Sequence, residues 1–87
     1  MKEKIIENMK AKVLSVLEGK EESERLIGVF PLDVRNYIEE LGGEEDSDRF
    51  ETNGWQWDFW QYFKYKGNTY CFGGSGYYGG GTFSRAN

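Results

Sequence analysis

The chain has no histidine, one cysteine and one proline in 87 residues. Lacking histidine, it has neither the commonest general base nor the commonest metal ligand. Cys71 has no second cysteine to pair with, which points to a reducing compartment. The opening MKEKIIENMK is charged throughout, and no stretch of about eighteen apolar residues occurs, so neither a signal peptide nor a membrane span is expected. These absences predict a cytoplasmic protein that uses no metal and no cofactor.

Catalytic motifs are equally scarce. Residues Gly74, Gly76 and Gly79 satisfy the letters of a G-x-G-x-x-G dinucleotide fingerprint. That motif works by opening a helix whose N-terminus holds a pyrophosphate, with an acidic residue about twenty positions on. Too little chain follows Gly79 for either feature, and no Gly-Lys-Ser/Thr follows to make a P-loop. Cys71 has no histidine to activate it. Asp58, flanked by Trp57 and Phe59, reads as a desolvated acid or as a solvent-facing strand residue. The expectation is a protein that is not an enzyme.

What is abundant is aromatic and acidic character, unevenly shared. Thirteen of the fifteen aromatic residues follow Arg49, whereas residues 1–49 carry a net charge of −5 and the remainder +1, summing to −4. One α+β domain over 1–87 accommodates that asymmetry as layers, because a sheet needs helices over a face. The expected divisions are a helical layer over 1–42, an acidic linker over 43–49 and an aromatic, glycine-rich sheet over 50–87.

Ile5, Ile6, Met9, Val13, Leu14 and Leu17 recur at three and four residues, predicting an amphipathic helix from Lys2 to Glu18 with Gly19 as its stop. Lys20 to Glu24 is a charge run, readable as a loop or a short helical turn. Pro31 suits the first turn of a second helix, continued by Val34, Tyr37, Ile38 and Leu41 and ended by Gly42-Gly43.

The most informative stretch is 55–72, WQWDFWQYFKYKGNTYCF. Its first arm places Trp55, Trp57, Phe59, Phe63 and Tyr65 on one side, with only Gln61 out of character. Asp58, Trp60, Tyr62 and Lys64 fall on the other side, the period-two signature of a half-buried strand. Gly67-Asn68 reads as a type II′ hairpin loop, which would set Tyr65 opposite Tyr70 and Phe63 opposite Phe72. Phe50–Thr52 reads as a short strand, Asn53-Gly54 as a turn, and 82–85 as a closing strand after a glycine-rich return. Together these predict two amphipathic helices packed on one face of a three- to four-stranded antiparallel sheet.

Two groups of residues then stand out as candidate contacts. Trp60 and Tyr62 face away from the helices, with Tyr77 and Tyr78 nearby in the glycine-rich return; uncovered aromatics usually mark an interaction site. Glu44, Glu45, Asp46 and Asp48 form the most acidic stretch, either a solvated linker or a decoy for nucleic-acid phosphates that engages a partner's basic surface. Direct nucleic-acid binding is disfavoured, since Lys64, Lys66 and Arg85 are few cations for a base-stacking groove on an acidic protein. A nucleotide-binding sponge built from the tyrosines and glycine amides, and a homodimeric assembly protein, are the other two readings.

In its GWQWDFWQYFKYKGNTYCFGGSGYYGG run and adjacent EEDSD stretch, the chain resembles small acidic accessory proteins of phages and mobile elements, including anti-CRISPR and other anti-defence inhibitors. That resemblance implies a stoichiometric inhibitor of a host or defence protein, acting without turnover in the host cytoplasm.

Overall fold

The computed structural model describes residues 2–53, 56–75 and 80–86, with the backbone alone at 52, 53, 56, 57 and 75. Helix α1 spans Lys2–Leu17 and strand β1 Ser23–Ile27; helix α2 spans Pro31–Glu40. Strands β2 (Glu44–Asn53), β3 (Gln56–Tyr65), β4 (Asn68–Ser75) and β5 (Gly80–Arg85) follow. The class is α+β, with five strands in one antiparallel sheet ordered β1-β5-β4-β3-β2. No described helix is long and apolar enough to cross a membrane.

The helices form where the apolar spacing predicts. Met9, Val13, Val16 and Leu17 are the buried face of α1, and Val34 and Ile38 that of α2. Pro31 occupies the first turn of α2, where no intrahelical partner for an N–H is needed. The Asp33 carboxylate accepts the Phe30 backbone N–H at 2.8 Å and lies 3.3 Å from the Lys2 ammonium, tying the start of α2 to the start of α1. These helix residues share one core with Leu26, Phe59, Phe63, Tyr70, Phe72 and Phe83 of the sheet. Burial along the strands alternates accordingly: Phe59, Gln61 and Phe63 are buried, while Tyr62 and Lys64 between and beyond them are exposed.

Three expectations are corrected. The hairpin turn is Lys66-Gly67, with φ of 48° and 82°, so the loop is type I′ and sits one residue earlier than Gly67-Asn68. Tyr65 therefore faces Asn68, Phe63 faces Tyr70 and Gln61 faces Phe72. Moving the turn by one residue moves every partner by two, so the aromatic face is preserved although each pair changes. Second, residues 44–49 are not a linker: they are the first half of the ten-residue strand β2, which absorbs the short strand expected at Phe50–Thr52. Third, the charge run Lys20–Glu24, read as a loop or a short helical turn, leads into a strand that it overlaps, β1 at Ser23–Ile27, raising the strand number to five. Leu26 is its one buried residue, which is too little for a periodic signal; its ladder comes from β5, with Glu24 facing Phe83 and Leu26 facing Gly81.

Close approach explains the described glycines of the return. A Cβ on Gly74 would lie 2.6 Å from the Gly80 carbonyl oxygen, and one on Gly81 would collide with the Gly73 carbonyl. Bare glycine lets β4 and β5 approach there.

Candidate functional site

The face of the sheet opposite the core is built by the even-numbered residues of β3 and their cross-strand partners. Trp60 is flanked by Arg49 on β2 and Gly73 on β4, and that row continues to Thr82 on β5 and Arg25 on β1. Tyr62 lies between Ser47 and Cys71, and Lys64 between Glu44 and Thr69. At the other end Asp58 is flanked by Glu51. Tyr62 is 37 % exposed and Ile27, on β1, 71 %.

Local chemistry holds the aromatics in place. A Cβ on Gly73 would touch the Trp60 ring at 3.4 Å, so the indole leans over the glycine and is half-buried on a face that otherwise points outward. Arg49 reaches Glu51 two residues along the same strand, Nη2 to Oε1 3.0 Å. Arg49, Trp60 and Tyr62 line a depression of about 230 Å³. That is below the range of about 300–1,000 Å³ typical of small-molecule pockets, so the depression suits a side chain better than a nucleotide. Burial pushes the Cys71 thiol up from its ordinary value, with hydrogen bonding from Tyr62 and Gln61 opposing the shift, which keeps it protonated and a weak nucleophile near neutral pH.

The acidic residues do not form one surface. Glu44 faces the outer side opposite Lys64, whereas Glu45 faces the inner side opposite Phe63. There Gln61 Nε2 donates to Glu45 Oε2 at 2.8 Å and to the Pro31 carbonyl at 3.2 Å. Gln61, the residue out of character on the apolar side, is only 3 % exposed and serves as the polar link between β2, β3 and the start of α2. A β-bulge between Glu45 and Ser47 takes up Asp46 and reverses the alternation, so that Asp48 falls opposite Gln61 and Phe50 opposite Phe59. The Phe50 and Phe59 rings stack at 6.1 Å. Of the acidic group, Asp46 and Asp48 are exposed along the sheet edge, Glu44 joins the outer face and Glu45 is engaged internally.

Trp60 and Tyr62 are thus brought together; Tyr77 and Tyr78 lie outside the described residues, as does Trp55. Arg49 and Lys64, absent from the sequence-based candidate set, are on the same face. A two-residue loop at Asn53-Gly54 would have set Arg49 opposite Asp58; Asn53 instead ends β2 opposite Gln56, which sets Arg49 opposite Trp60. Among the described residues, no three acidic or cysteine side chains converge as a metal site would require. Gly74 lies within β4, Gly76 and Gly79 lie outside the described residues, and no described helix follows them. Comparison with protein-family models, curated proteins and solved structures yields no match.

Proposed function

We propose that this chain is a non-enzymatic binding protein whose contact surface is the outer face of the sheet, the two helices serving as cover for the opposite face. The observation that carries the reading is the placement of Trp60 and Tyr62 side by side, beside Arg49, on a face whose neighbouring residues Ser47, Lys64, Thr82 and Arg25 are all exposed. Tryptophan, tyrosine and arginine are the side chains that most often dominate binding energy. Beside them, Glu44, Asp46 and Asp48 line the edge strand and favour a partner with a basic surface. Such a protein acts by occupying its partner, in the manner of a stoichiometric inhibitor of a host or defence protein.

The test is capture of partner proteins by the immobilised chain, compared among wild type, a Trp60→Ala/Tyr62→Ala variant and a Glu44→Lys/Asp46→Lys/Asp48→Lys variant. The aromatic variant is expected to lose the captured protein, and the charge variant to bind it more weakly with a shallower salt dependence. Capture unchanged in both variants would remove the outer face and the acidic edge from the function.

A further inference from the structure

We infer that a second copy of this chain docks face to face on the outer side of the sheet, with strand β3 of one copy antiparallel over β3 of the other. This rests on the reading of that face as a contact surface and names its partner there. The outward residues of β3 run Asp58, Trp60, Tyr62, Lys64, which is acid, aromatic, aromatic, base. About Gln61 as midpoint the order is chemically self-complementary. A two-fold axis lying between two stacked sheets, perpendicular to β3 and crossing it at Gln61, sets Asp58 of each copy over Lys64 of the other and Trp60 over Tyr62. Isologous interfaces require this kind of self-matching patch.

Charge on the whole face agrees with that occupant. The protein carries −4, yet the outer face has Asp58, Glu44 and Glu51 against Lys64, Arg49 and Arg25, three of each sign. A strongly basic partner gains little from a balanced surface, and a nucleic acid less; a second balanced copy meets no net repulsion there. The axes running along the strands are disfavoured on overlap, since one along β3 stacks only β2, β3 and β4 and sets Asp58 over Asp58, and one between β2 and β3 stacks only those two strands. The chosen axis stacks all five, and its one like-charge meeting, Glu44 over Glu51, falls at the exposed β2 edge, where solvent screens it. Area is sufficient for a weak dimer: five strands about 4.8 Å apart and about 20 Å long present roughly 500 Å² per copy, near the roughly 1,000 Å² total at which specific interfaces begin. Twisted sheets stacked face to face touch most closely in the middle, so the aromatic centre makes the contact. In this arrangement the two β2 edges lie on the same side of the dimer, and their exposed Asp46 and Asp48 form one acidic rim for a basic partner.

Sedimentation velocity from about 1 μM to about 1 mM spans the range in which an interface of this size dissociates. Wild type is expected to pass from monomer to dimer across it. Asp58→Lys alone and Lys64→Asp alone each set like charges over one another twice, and each is expected to weaken the dimer by on the order of tenfold or more. An equimolar mixture of the two variants re-creates both opposite-charge pairs across the interface and is expected to recover dimer as a mixed species. Within one chain the two positions are about 20 Å apart, beyond the Debye length at physiological salt, so intramolecular repair cannot give that recovery. Recovery also shows that both variants fold. Wild type remaining monomeric throughout, or a dimer indifferent to both charge changes, or single variants impaired but not restored by mixing, would each overturn the proposed arrangement. If wild type is monomeric while the Trp60→Ala/Tyr62→Ala variant still loses a captured protein, the second copy is refuted and the contact surface stands; if that capture is also unchanged, both fall.

Discussion

Gly81 offers the sharpest test of how the glycine-rich segment is used. Replacing it with alanine adds one methyl group where the nearest atoms are backbone: it would collide with the Gly73 carbonyl oxygen, lie 2.9 Å from the Gly73 carbonyl carbon and 3.2 Å from the Gly74 Cα. Backbone cannot swing aside as a flexible side chain does, so the two strands must separate and the β4–β5 ladder must stretch. Overpacking of this kind costs about 3 kcal/mol, the upper part of its usual range. A domain of this size loses about 4–8 °C of melting temperature per kcal/mol, giving a drop of roughly 12–24 °C. Gly42→Ala is the internal control, because nothing lies within 4 Å of its added Cβ and only its φ of 95° is unfavourable. Its cost is about 1 kcal/mol. Thermal denaturation followed by circular dichroism measures both variants against wild type. If Gly81→Ala melts no lower than Gly42→Ala, the close approach of β4 and β5 does not explain those glycines, and a ligand-contacting role for the segment regains standing.

Further outcomes follow from packing, capping and titration. Ile38 is fully buried on α2 and Leu32 is 54 % exposed on the same helix, so Ile38→Ala is expected to cost about 2–5 kcal/mol in urea denaturation and Leu32→Ala no more than about 0.5 kcal/mol. Equal costs would mean that α2 presents a different face to the sheet. Asp33→Ala removes the acceptor for the Phe30 N–H and is expected to lower stability by about 1 kcal/mol, whereas Asp33→Asn should retain much of it. The Cys71 thiol is raised by burial, and the Tyr37 phenol by burial and then by Glu40. The folded state therefore holds protons that the unfolded chain releases, so stability is intact at neutral pH and falls as pH rises past the unfolded thiol value of 9.0. A urea midpoint that rises through that range, or a Cys71→Ser variant with the same slope at its onset, would contradict the assignment.

Much of the fold was legible because its signals are local. The stripe Ile5, Ile6, Met9, Val13, Leu14 and Leu17 identifies α1 without reference to anything outside it, although Val16 takes the buried place expected of Leu14, and the alternation from Phe59 to Tyr65 identifies both faces of β3. Those faces survived even the misplaced turn, since a side chain's direction depends on its position parity, which a shift of two leaves unchanged. Gly67 marked the hairpin but not its position: type I′ and type II′ loops both welcome glycine, and Lys66 at positive φ carries no signal of its own. The acidic stretch was misread for a related reason. Charge suggests solvent, but Glu44, Asp46 and Asp48 tolerate a strand because theirs is an edge, where charged residues also discourage unwanted pairing.

By itself, then, the order of residues determined which side chains share a face, where the two helices run and that Trp60 and Tyr62 turn from the core. Tertiary structure alone decided that residues 23–27 are a strand, which strand lies at each edge, and that Arg49 stands beside Trp60. It also decided that the bulge after Glu45 divides the carboxylates between two sides. The physical reason is range. Side-chain direction is set by backbone geometry a few residues long, whereas a strand at an edge exists only through hydrogen bonds to a neighbour distant in sequence, as β1 does through β5.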